Sequence, residues 1–541
     1  MLFKKTGFPS HDKTELKGVS FFKRHPLILN RSLLSTFYMV NKRSLGKVAI
    51  ERDGKAWTKN QLYNDSVMYA KALAALELRA GDTLAIITQN IYEAIVFTFA
   101  ANVLAIKVVY LNPDPSAKEE VEAKIRAHHV RAALVERNGN LVLAMTLVSY
   151  LLPMLKELSK SVSDKEIKRL FARNAHNRES LIYIQTSGST SGIPKTPMFT
   201  NQAVFASLMY AKNSTGTKTH DASVSKVLCI IPLRIPYGWM TAFVNILGGN
   251  RVEFATSATP EAIGEWYKLK PSYIYGTPQF LTDFIANTPP GADLSFLKAF
   301  FCAGFATKEE LFEEGYEFLH KHNCWGEIRN NYGIGEALCI GTASDGVVHK
   351  PGTSGKFYVG IKRVLVDDGL QEVKYGEVGE LLIWSKSLME GYFGDKKATE
   401  AAFVNFRGKR YFRTGDLLCL DEDGYVTFID RKKRFYQPRG ATDKVNCETI
   451  EKAFMKATNV VKSVSVEIYS LPDKSETSAA FVVLENGIIP SAETRLELMK
   501  FLTEKAGLHE FQLPTKILFL EELPLMSSGK IDHIALKKLL S

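Results

Sequence analysis

The sequence predicts an α/β protein with a large N-terminal domain, whose sheets are covered by helices on both faces, and a small C-terminal α+β domain. The chain has 541 residues, too many for one ordinary domain. After about 45 irregular, basic residues, strand-like and helix-like segments alternate to about residue 350, and a strand-rich stretch follows before a short α/β unit. Alternation favours largely parallel sheets. We place the boundary at Asp430 and Arg431, which gives domains 1–430 and 431–541.

The first elements can be identified one by one. Residues 47–58 read KVAIERDGKAWT, which predicts two short strands around an Asp-Gly turn. Residues 60–76, NQLYNDSVMYAKALAAL, have apolar positions at helical spacing. Residues 81–90, GDTLAIITQN, predict a strand, and residues 91–105, IYEAIVFTFAANVLA, predict a helix. The order strand–helix–strand–helix is that of an α/β unit.

The longest apolar run is residues 141–155, LVLAMTLVSYLLPML. A helix that crosses a bilayer needs about 20 apolar residues, and Pro153 interrupts this shorter run, so we expect no integral membrane segment. The run predicts a buried core helix, with a membrane-surface helix as the alternative. The N-terminus lacks the uninterrupted apolar stretch of a secretory signal.

Charge and cysteine usage exclude several classes of function. The net charge is +11, but the basic residues are scattered and form no block interleaved with aromatic residues, so we expect no nucleic-acid partner. An excess of positive charge suits small phosphorylated or acidic partners. The six cysteines lie far apart, without metal-ligand or C-x-x-C spacing, as is typical of thiols in a reducing compartment. We therefore expect a cytoplasmic protein.

Residues 184–195, IQTSGSTSGIPK, form a hydroxyl-rich loop directly after an apolar strand. Glycine lets the backbone approach a ligand, free N–H groups and hydroxyls donate to oxyanions, and Lys195 adds a positive charge. The loop is therefore predicted to bind phosphate. It is not a Walker loop, which requires Gly-Lys-Ser/Thr, because Gly192 is followed by Ile-Pro-Lys.

This loop resembles the signature [ST]-S-G-[ST]-T-G-x-P-K of the adenylate-forming superfamily, which contains acyl- and aryl-CoA synthetases, peptide-synthetase adenylation domains and beetle luciferases. Ser191 is an extra residue relative to that pattern. Further motifs follow in the family's order, and the resemblance extends from about residue 45 to the end of the chain. These motifs are NNYGIGEA, KPGTSGK, GEVGELLI with MEGYF, YFRTGDLLCLDEDGYVTFIDRKK and LPLMSSGKID.

The resemblance implies an acid–thiol ligase. Such an enzyme uses ATP and Mg²⁺ to convert a carboxylic acid into an acyl-adenylate, with release of pyrophosphate. It then transfers the acyl group to a thiol, either coenzyme A or the phosphopantetheine of a separate carrier protein. The small domain is expected to rotate between the two half-reactions about Lys432 and Lys433. Gly335 replaces the threonine of the family pattern Y-G-x-T-E, so a nucleotide-binding homologue with impaired catalysis, acting as an interaction protein, is the alternative.

The resemblance also assigns site residues. Lys530 is the expected catalytic residue, which stabilises the first transition state, and Glu336 is the expected Mg²⁺ ligand. The residues expected to bind ATP or AMP are Thr186, Ser187, Gly188, Ser189, Thr190, Ser191, Gly192, Lys195, Ala303, Gly304, Asn330, Tyr332, Gly333, Glu336, Asp416 and Arg431.

The acyl pocket is predicted from PLRIPYG, which resembles the acyl-CoA synthetase pattern P-x-F-H-x-[FY]-G. Ile235 replaces the histidine, so we expect an apolar and aromatic wall formed by Ile235, Tyr237, Gly238 and Trp239. The stretch offers no carboxylate for an α-amine, which disfavours amino acids and favours a fatty or aromatic acid. As an alternative, Trp239 and its apolar neighbours are ordinary core residues.

Overall fold

The computed structural model describes most of the chain. The described residues are 31–146, 148–175, 177–185, 195–214, 225–304, 307, 309–338, 342–343, 350, 352–358, 360–438, 445–472, 475–525 and 531–540.

The helices are α1 (Leu33–Asn41), α2 (Lys59–Ala75), α3 (Tyr92–Val103), α4 (Lys118–Ala127), α5 (Leu152–Ser159), α6 (Asp164–Asn174), α7 (Asn201–Ser214), α8 (Pro236–Gly248), α9 (Pro260–Gly264), α10 (Pro278–Asn287), α11 (Glu309–Lys321), α12 (Lys396–Ala401), α13 (Cys447–Met455), α14 (Ala492–Glu504) and α15 (His533–Lys538).

The strands are β1 (Val48–Arg52), β2 (Lys55–Thr58), β3 (Thr83–Ile87), β4 (Lys107–Tyr110), β5 (Val130–Arg137), β6 (Asn140–Met145), β7 (Ser149–Leu151), β8 (Ser180–Tyr183), β9 (Pro197–Thr200), β10 (Lys226–Cys229), β11 (Arg251–Phe254), β12 (Tyr273–Gly276), β13 (Ala299–Ala303), β14 (Glu327–Asn331), β15 (Thr342–Ala343), β16 (Lys356–Phe357), β17 (Lys362–Val366), β18 (Val378–Trp384), β19 (Gly391–Tyr392), β20 (Phe403–Phe406), β21 (Lys409–Leu420), β22 (Val426–Arg431), β23 (Phe435–Tyr436), β24 (Val445–Asn446), β25 (Val461–Ser470), β26 (Glu476–Leu484) and β27 (Lys516–Leu520).

Two large sheets form the N-terminal part. One has the order β14-β13-β12-β10-β11-β1-β2, and all its strands are parallel except β2. The other has the order β19-β9-β8-β4-β3-β5-β6-β7, with β8, β4, β3 and β5 parallel and antiparallel strands at both edges. Helices α3 and α8 are buried almost throughout, and they meet where the rings of Phe99 and Phe243 lie 5.7 Å apart. The predicted α/β architecture is confirmed.

The local predictions for the first elements are also confirmed. Asp53 and Gly54 have φ angles of 51° and 73°, as the two central residues of a tight β1–β2 hairpin turn require. Helix α2 then begins with a capping box: the Thr58 hydroxyl accepts from the Gln61 N–H, and the Gln61 side chain accepts from the Thr58 N–H.

The core helix predicted over residues 141–155 is wrong. This segment contains the antiparallel pair β6 and β7, and helix α5 begins only at Leu152, with Pro153 in its first turn. Proline is favoured there because the first N–H groups of a helix have no partner within the helix. A continuous run of apolar residues is compatible with both the 3.6-residue period of a helix and the two-residue period of a strand. Within the described ranges, no helix combines the length and mean hydropathy of a membrane span.

An antiparallel sheet follows the two large sheets, in agreement with the predicted strand-rich stretch. Its strand order is β17-β18-β21-β20, and β22 pairs with β21. Strand β21 is twelve residues long and joins three neighbours, so residues along it are fixed by ladder hydrogen bonds on both sides.

The C-terminal residues form their own layer. Strands β25, β26 and β27 make a three-stranded sheet, which packs with helices α13 and α14 around a separate apolar core that includes Phe454, Val466 and Val482. The boundary proposed between Asp430 and Arg431 stays a prediction. Arg431 is the last residue of β22 and is paired with Asp416 of β21, so the strand itself runs one residue past that boundary.

Candidate functional site

The first group of site residues comprises Tyr332, Asp416 and Arg431, here named the Asp416 cluster. Asp416 has no exposed surface. It lies on β21 directly opposite Arg431 of β22, whose Nε is 2.6 Å from Asp416 Oδ1. The Tyr332 hydroxyl donates to Asp416 Oδ2 across 2.6 Å. The structure therefore brings together three residues that the resemblance assigns to nucleotide binding, and their role stays a prediction.

Electrostatics keep the phenol of this cluster protonated. Burial raises the pKa of the Tyr332 phenol well above its usual value, and the neighbouring Asp416 carboxylate raises it further. The phenol therefore stays protonated and remains a donor. A buried carboxylate that accepts from a tyrosine hydroxyl and is ion-paired with a guanidinium is a fixed acceptor for hydroxyl groups of a ligand, the role expected of Asp416 toward ribose.

The second group comprises Lys195, Glu336 and Tyr392, here named the Glu336 cluster. The Tyr392 hydroxyl donates to Glu336 Oε1 across 2.7 Å. The Lys195 ammonium lies 4.8 Å from the centre of the Tyr392 ring, a cation–π distance. Lys195 and Glu336 were both predicted site residues, and Tyr392 connects them. Tyr392 itself was missed as a site residue, although the motif MEGYF contains it.

Strand pairing explains how Tyr392 reaches this place. β19 pairs with β9, so that Tyr392 lies opposite Pro197, two residues after Lys195. The N–H of the next residue, Phe393, donates to the carbonyl of Thr196 at 2.8 Å. A Cβ at Gly391 would lie 2.8 Å from Thr399 Cγ2, so this close approach requires glycine.

A single short segment contributes to both clusters. Tyr332 follows strand β14 directly, and Glu336 lies four residues later in the 3₁₀ turn Gly335–Ala337. Between them Ile334 is buried, and the Glu336 carbonyl accepts from the N–H of Met389 at 2.8 Å. The two clusters therefore belong to one site at the carboxyl end of a parallel strand, where ligands of α/β sheets bind.

The residues expected to frame the adenine ring lie at or near the ends of two neighbouring strands. Ala303 is the last residue of β13, and Asn330 lies one residue before the end of β14. The Asn330 amide donates to the Thr353 carbonyl at 3.2 Å and to Ser354 Oγ at 3.3 Å, and its oxygen accepts from Thr307 at 3.1 Å. Asn330 thus ties three backbone segments together.

Two predicted glycines flank these strand ends. Gly304 follows Ala303 with a φ of 92°, a left-handed backbone that favours glycine. Gly333 is exposed beside Tyr332.

The predicted acyl-pocket residues surround the start of helix α8. The Tyr237 hydroxyl lies within hydrogen-bonding distance of the carbonyls of Gly276 and Phe301, at 3.3 and 3.4 Å, so it lies against the end of β12 and the middle of β13. A Cβ on Gly238 would lie 2.4 Å from the Ile231 carbonyl oxygen, which explains the glycine. Ile235 is half-buried.

Trp239 occupies a different environment. It has no exposed surface and stacks on Phe243 at 4.2 Å inside the main apolar core. Its surroundings therefore match the alternative interpretation, an ordinary core residue, and its contribution to a pocket wall stays a prediction.

Asn90 is a further residue that sequence reasoning missed. Its amide donates to the Ile231 carbonyl at 3.0 Å and its oxygen accepts from the Leu233 N–H at 2.8 Å. Asn90 thereby fixes the backbone that precedes the predicted acyl-pocket residues. Its position after β3 gave no local signal, because the partner segment lies more than a hundred residues away.

The predicted hinge residues lie in a 3₁₀ turn, Lys432–Arg434. Lys432 Nζ contacts the buried Glu380 carboxylate at 2.8 Å and Asp368 at 2.9 Å, whereas Lys433 is exposed. Arg434, which was not predicted, contacts Asp430 of β22 at 3.2 Å and Glu451 of α13 at 2.6 Å. Arg434 therefore joins the antiparallel sheet to the first helix of the C-terminal layer.

Several predicted residues lie outside the described part of the chain. These are Lys530 and the loop residues Thr186, Ser187, Gly188, Ser189, Thr190, Ser191 and Gly192. In the part of the chain that the structure describes, no group of three or more His, Cys, Asp or Glu side chains could hold a metal ion by itself. A Mg²⁺ ion at Glu336 could complete its coordination with water and phosphate oxygens.

A comparison of the sequence with family profiles decides the family. The profile of the AMP-binding enzyme family matches residues 37–393, about two thirds of the chain. The chain is an AMP-binding enzyme family member. This confirms the resemblance stated from the motifs, and it places Lys195, Tyr332, Glu336 and Tyr392 inside the matched AMP-binding region.

The relatives of this AMP-binding protein include several ligases. The chain is 28% identical over 369 residues to acyl-CoA ligase AKT1 of Alternaria alternata, a match that covers 66% of this chain and 62% of that protein. It is 23% identical over 556 residues to probable CoA ligase CCL5 of Humulus lupulus, with 96% of each chain covered. It is 25% identical over 261 residues to a D-alanine–D-alanyl carrier protein ligase of Streptococcus pyogenes serotype M3, covering 46% of this chain and 51% of that protein.

Solved structures show the same fold over nearly the whole chain. The anthranilate CoA ligase AuaEII in complex with anthranoyl-AMP has a TM-score of 0.73 and 20% identity, covering 95% of this chain and 98% of that one. The o-succinylbenzoate CoA synthetase of Bacillus subtilis in complex with ATP and magnesium has a TM-score of 0.72 and 20% identity, covering 93% of this chain and 99% of that one. The likeness in fold to these solved structures thus extends over the C-terminal layer.

Proposed function

We propose that this protein is an ATP-dependent acid–thiol ligase that forms an acyl-adenylate. The observation that carries the proposal is the shared segment 332–336, which contributes Tyr332 to the Asp416 cluster and Glu336 to the Glu336 cluster. One cluster offers a fixed acceptor for ribose hydroxyls, and the other combines a cation with a carboxylate, as the phosphate end of a metal-bound nucleotide requires.

The residues present fit ATP and Mg²⁺. Glu336 supplies a hard oxygen ligand, and its Oε1 is fixed by the Tyr392 hydroxyl. When bound, Mg²⁺ would neutralise charge on the phosphate oxygens during transfer. Lys195 is expected to bind the phosphates of the leaving pyrophosphate, and Asp416 with Arg431 to hold the ribose.

The chemistry overcomes a poor leaving group. A carboxylate does not acylate a thiol because oxide is not expelled, whereas AMP leaves readily from a mixed anhydride. The carboxylate oxygen attacks the α-phosphorus of ATP and pyrophosphate leaves. Lys530 is proposed to stabilise the charge that develops in this step. Rotation about Lys432 and Lys433 is proposed to let a thiol displace AMP from the acyl carbon.

The expected substrate is a fatty or aromatic acid. Ile235 and the Tyr237 ring provide apolar surface at the start of α8, and Tyr237 is anchored to the end of β12 and the middle of β13. The anthranoyl-AMP complex of AuaEII and the name of the Alternaria acyl-CoA ligase support this class. The acceptor is proposed to be coenzyme A or a separate carrier protein, since relatives of both kinds are matched.

Exchange of labelled pyrophosphate into ATP tests the proposal. Benzoate, anthranilate, octanoate, palmitate and a set of amino acids are each added, and at least one fatty or aryl acid should support exchange that Lys530→Ala abolishes. Positive acids are then offered coenzyme A and a purified phosphopantetheinyl carrier protein. If none of the acids in the panel supports pyrophosphate exchange, the proposed activity is contradicted.

The alternative proposal is a nucleotide-binding homologue with impaired catalysis. Gly335, in the turn beside Glu336, motivates it because a hydroxyl expected near the reaction centre is missing. ATP binding without any acyl-adenylate in a mass spectrum would support it. A cytoplasmic location is proposed as well, since the cysteines of the described residues, namely Cys229, Cys302, Cys324, Cys419 and Cys447, are all free thiols.

A further inference from the structure

A buried carboxylate lies beneath the helix that follows Lys530 in the sequence. Glu467, on strand β25, is 4% exposed, and its Oε1 is 2.5 Å from Nδ1 of His533. The Ser465 hydroxyl donates to the same oxygen at 3.3 Å. His533 is the first residue of α15 and comes three residues after Lys530. Neither the motifs nor the expected roles of the site residues give Glu467 or His533 a function.

The chain on both sides of residues 526–530 is held at its base. Leu525 and Ile531 form an antiparallel bridge, and the N–H of Asp532 donates to the Pro524 carbonyl at 2.8 Å. The Asp532 carboxylate caps α15 by accepting from the N–H groups of the second and third helix residues, both at 3.0 Å. These contacts fix the chain direction at the residue that follows Lys530.

Helix α15 packs against the sheet beneath it. Leu536 of α15 is fully buried against Ala479 and Phe481 of β26, and Ala479 is paired with Glu467 across the β25–β26 ladder. A buried carboxylate needs its partner because an unpaired charge in a low-dielectric setting is costly. The His533–Glu467 contact therefore fixes the start of α15 relative to the sheet.

We propose that the Glu467–His533 pair positions Lys530 for acyl-adenylate formation. The inference rests on the proposed function, in which Lys530 acts in the first half-reaction and leaves the site in the second. Three residues of chain reach at most about 10 Å, so few backbone angles can absorb a shift of His533 before it moves Lys530. Misplacement of a catalytic group by about 1 Å can cost about a hundredfold in rate.

The test separates the two half-reactions, with octanoyl-adenylate and benzoyl-adenylate as probes. In the reverse direction of the first half-reaction, pyrophosphate attacks the α-phosphorus of the adenylate, ATP forms and the carboxylate is released. In the second, the sulfur of free pantetheine attacks the acyl carbon, AMP leaves and the thiol proton is released. His533→Ala and Glu467→Gln should slow ATP formation roughly tenfold to a hundredfold and change thioester formation by less than about twofold.

Two further variants calibrate the result. His533→Asn retains an N–H donor near the position of Nδ1 and should restore ATP formation to within about threefold of wild type. His509→Ala removes another C-terminal histidine, which stacks on Phe511 away from Glu467, and should leave both rates unchanged. Melting temperatures are recorded for every variant, so that loss of folding is separated from loss of positioning.

The outcomes distinguish this inference from the proposed function. If Lys530→Ala abolishes ATP formation while His533→Ala and Glu467→Gln leave it intact, the positioning role is overturned. It is also overturned if both half-reactions fall in equal proportion, because the pair would then support only the stability of the layer. If Lys530→Ala itself leaves ATP formation intact, the proposed role of the lysine fails.

Discussion

The Asp416 cluster and the Glu336 cluster share one chemical plan, in which a tyrosine hydroxyl donates to a carboxylate and a cation lies close by. They differ in what holds the carboxylate. Asp416 lies on a long strand in ladder register with Arg431, whereas Glu336 lies in a short 3₁₀ turn. A strand-fixed carboxylate suits ligand hydroxyls of constant geometry. A carboxylate in a turn could act as one ligand of a Mg²⁺ ion that is bound mainly by phosphate oxygens.

The largest effect is expected at the rigid cluster. Asp416→Asn removes the charge that pairs with the partly exposed Arg431 and that is expected to bind two ribose hydroxyls, and each hydrogen bond to a charged group contributes about 1.5–3 kcal/mol. We expect ATP affinity, measured by calorimetry, to fall at least about a hundredfold. Asp421→Asn is the control. Asp421 directly follows the last residue of β21 and pairs with the surface residue Lys350. Equal losses in both variants would contradict a binding role for Asp416.

Acid should lower the stability of the fold by protonating a histidine that packs beside the Glu336 cluster. The His128 ring stacks at 4.0 Å on Phe393, the residue after Tyr392, and burial together with Lys124 lowers the pKa of His128 to about 4. An unfolded histidine titrates near 6.5, so the unfolded chain binds the extra proton first, and stability is lost as pH falls from about 6.5 toward 4. The loss is up to about 3 kcal/mol.

Urea unfolding at pH 7 and pH 5 measures this effect. His128→Phe keeps a ring against Phe393 and should flatten the pH dependence. His320→Phe, at an exposed position of α11, should leave it unchanged. An unaltered pH dependence in His128→Phe would show that another group titrates.

Loss of the Tyr392 hydroxyl should weaken Mg²⁺ binding rather than destabilise the fold. Tyr392→Phe keeps the ring beneath Lys195 and removes the donor to Glu336, a hydrogen bond to a charged group worth about 1.5 kcal/mol. The Mg²⁺ concentration for half-maximal pyrophosphate exchange should rise roughly tenfold. Tyr411→Phe, in the antiparallel sheet, should not change it. An unchanged Mg²⁺ requirement in Tyr392→Phe would show that the turn alone fixes Glu336.

The smallest effect is expected at Gly335. Gly335→Thr adds the hydroxyl that the family pattern carries beside Glu336, and the rate of acyl-adenylate formation should rise by less than about fivefold, because one neutral hydrogen bond contributes about 1 kcal/mol. Gly335→Ala adds a Cβ without the hydroxyl and is the matched variant. Equal gains in both would assign the effect to a stiffer turn.

The local features of this protein were determined by the sequence. The hairpin at Asp53-Gly54, the capped helix after Thr58 and the alternation of strands and helices follow from nearest neighbours in the chain. The ordered motifs also assigned Tyr332, Asp416 and Arg431 to nucleotide binding, and the structure brings these three side chains together. The helix prediction for residues 141–155 failed because an apolar run fits both the helical and the strand period. Only the pairing between β6 and β7 decided between the two.

Tertiary structure alone decided the contacts between distant segments. Tyr392 reaches Glu336 because β19 pairs with β9, and Asn90 fixes the backbone at Ile231 across 141 positions of sequence. Arg434 joins two layers through partners on either side of it. Such pairings depend on the strand order of the sheets and on which side chains are buried together, and a single sequence carries no local pattern for either.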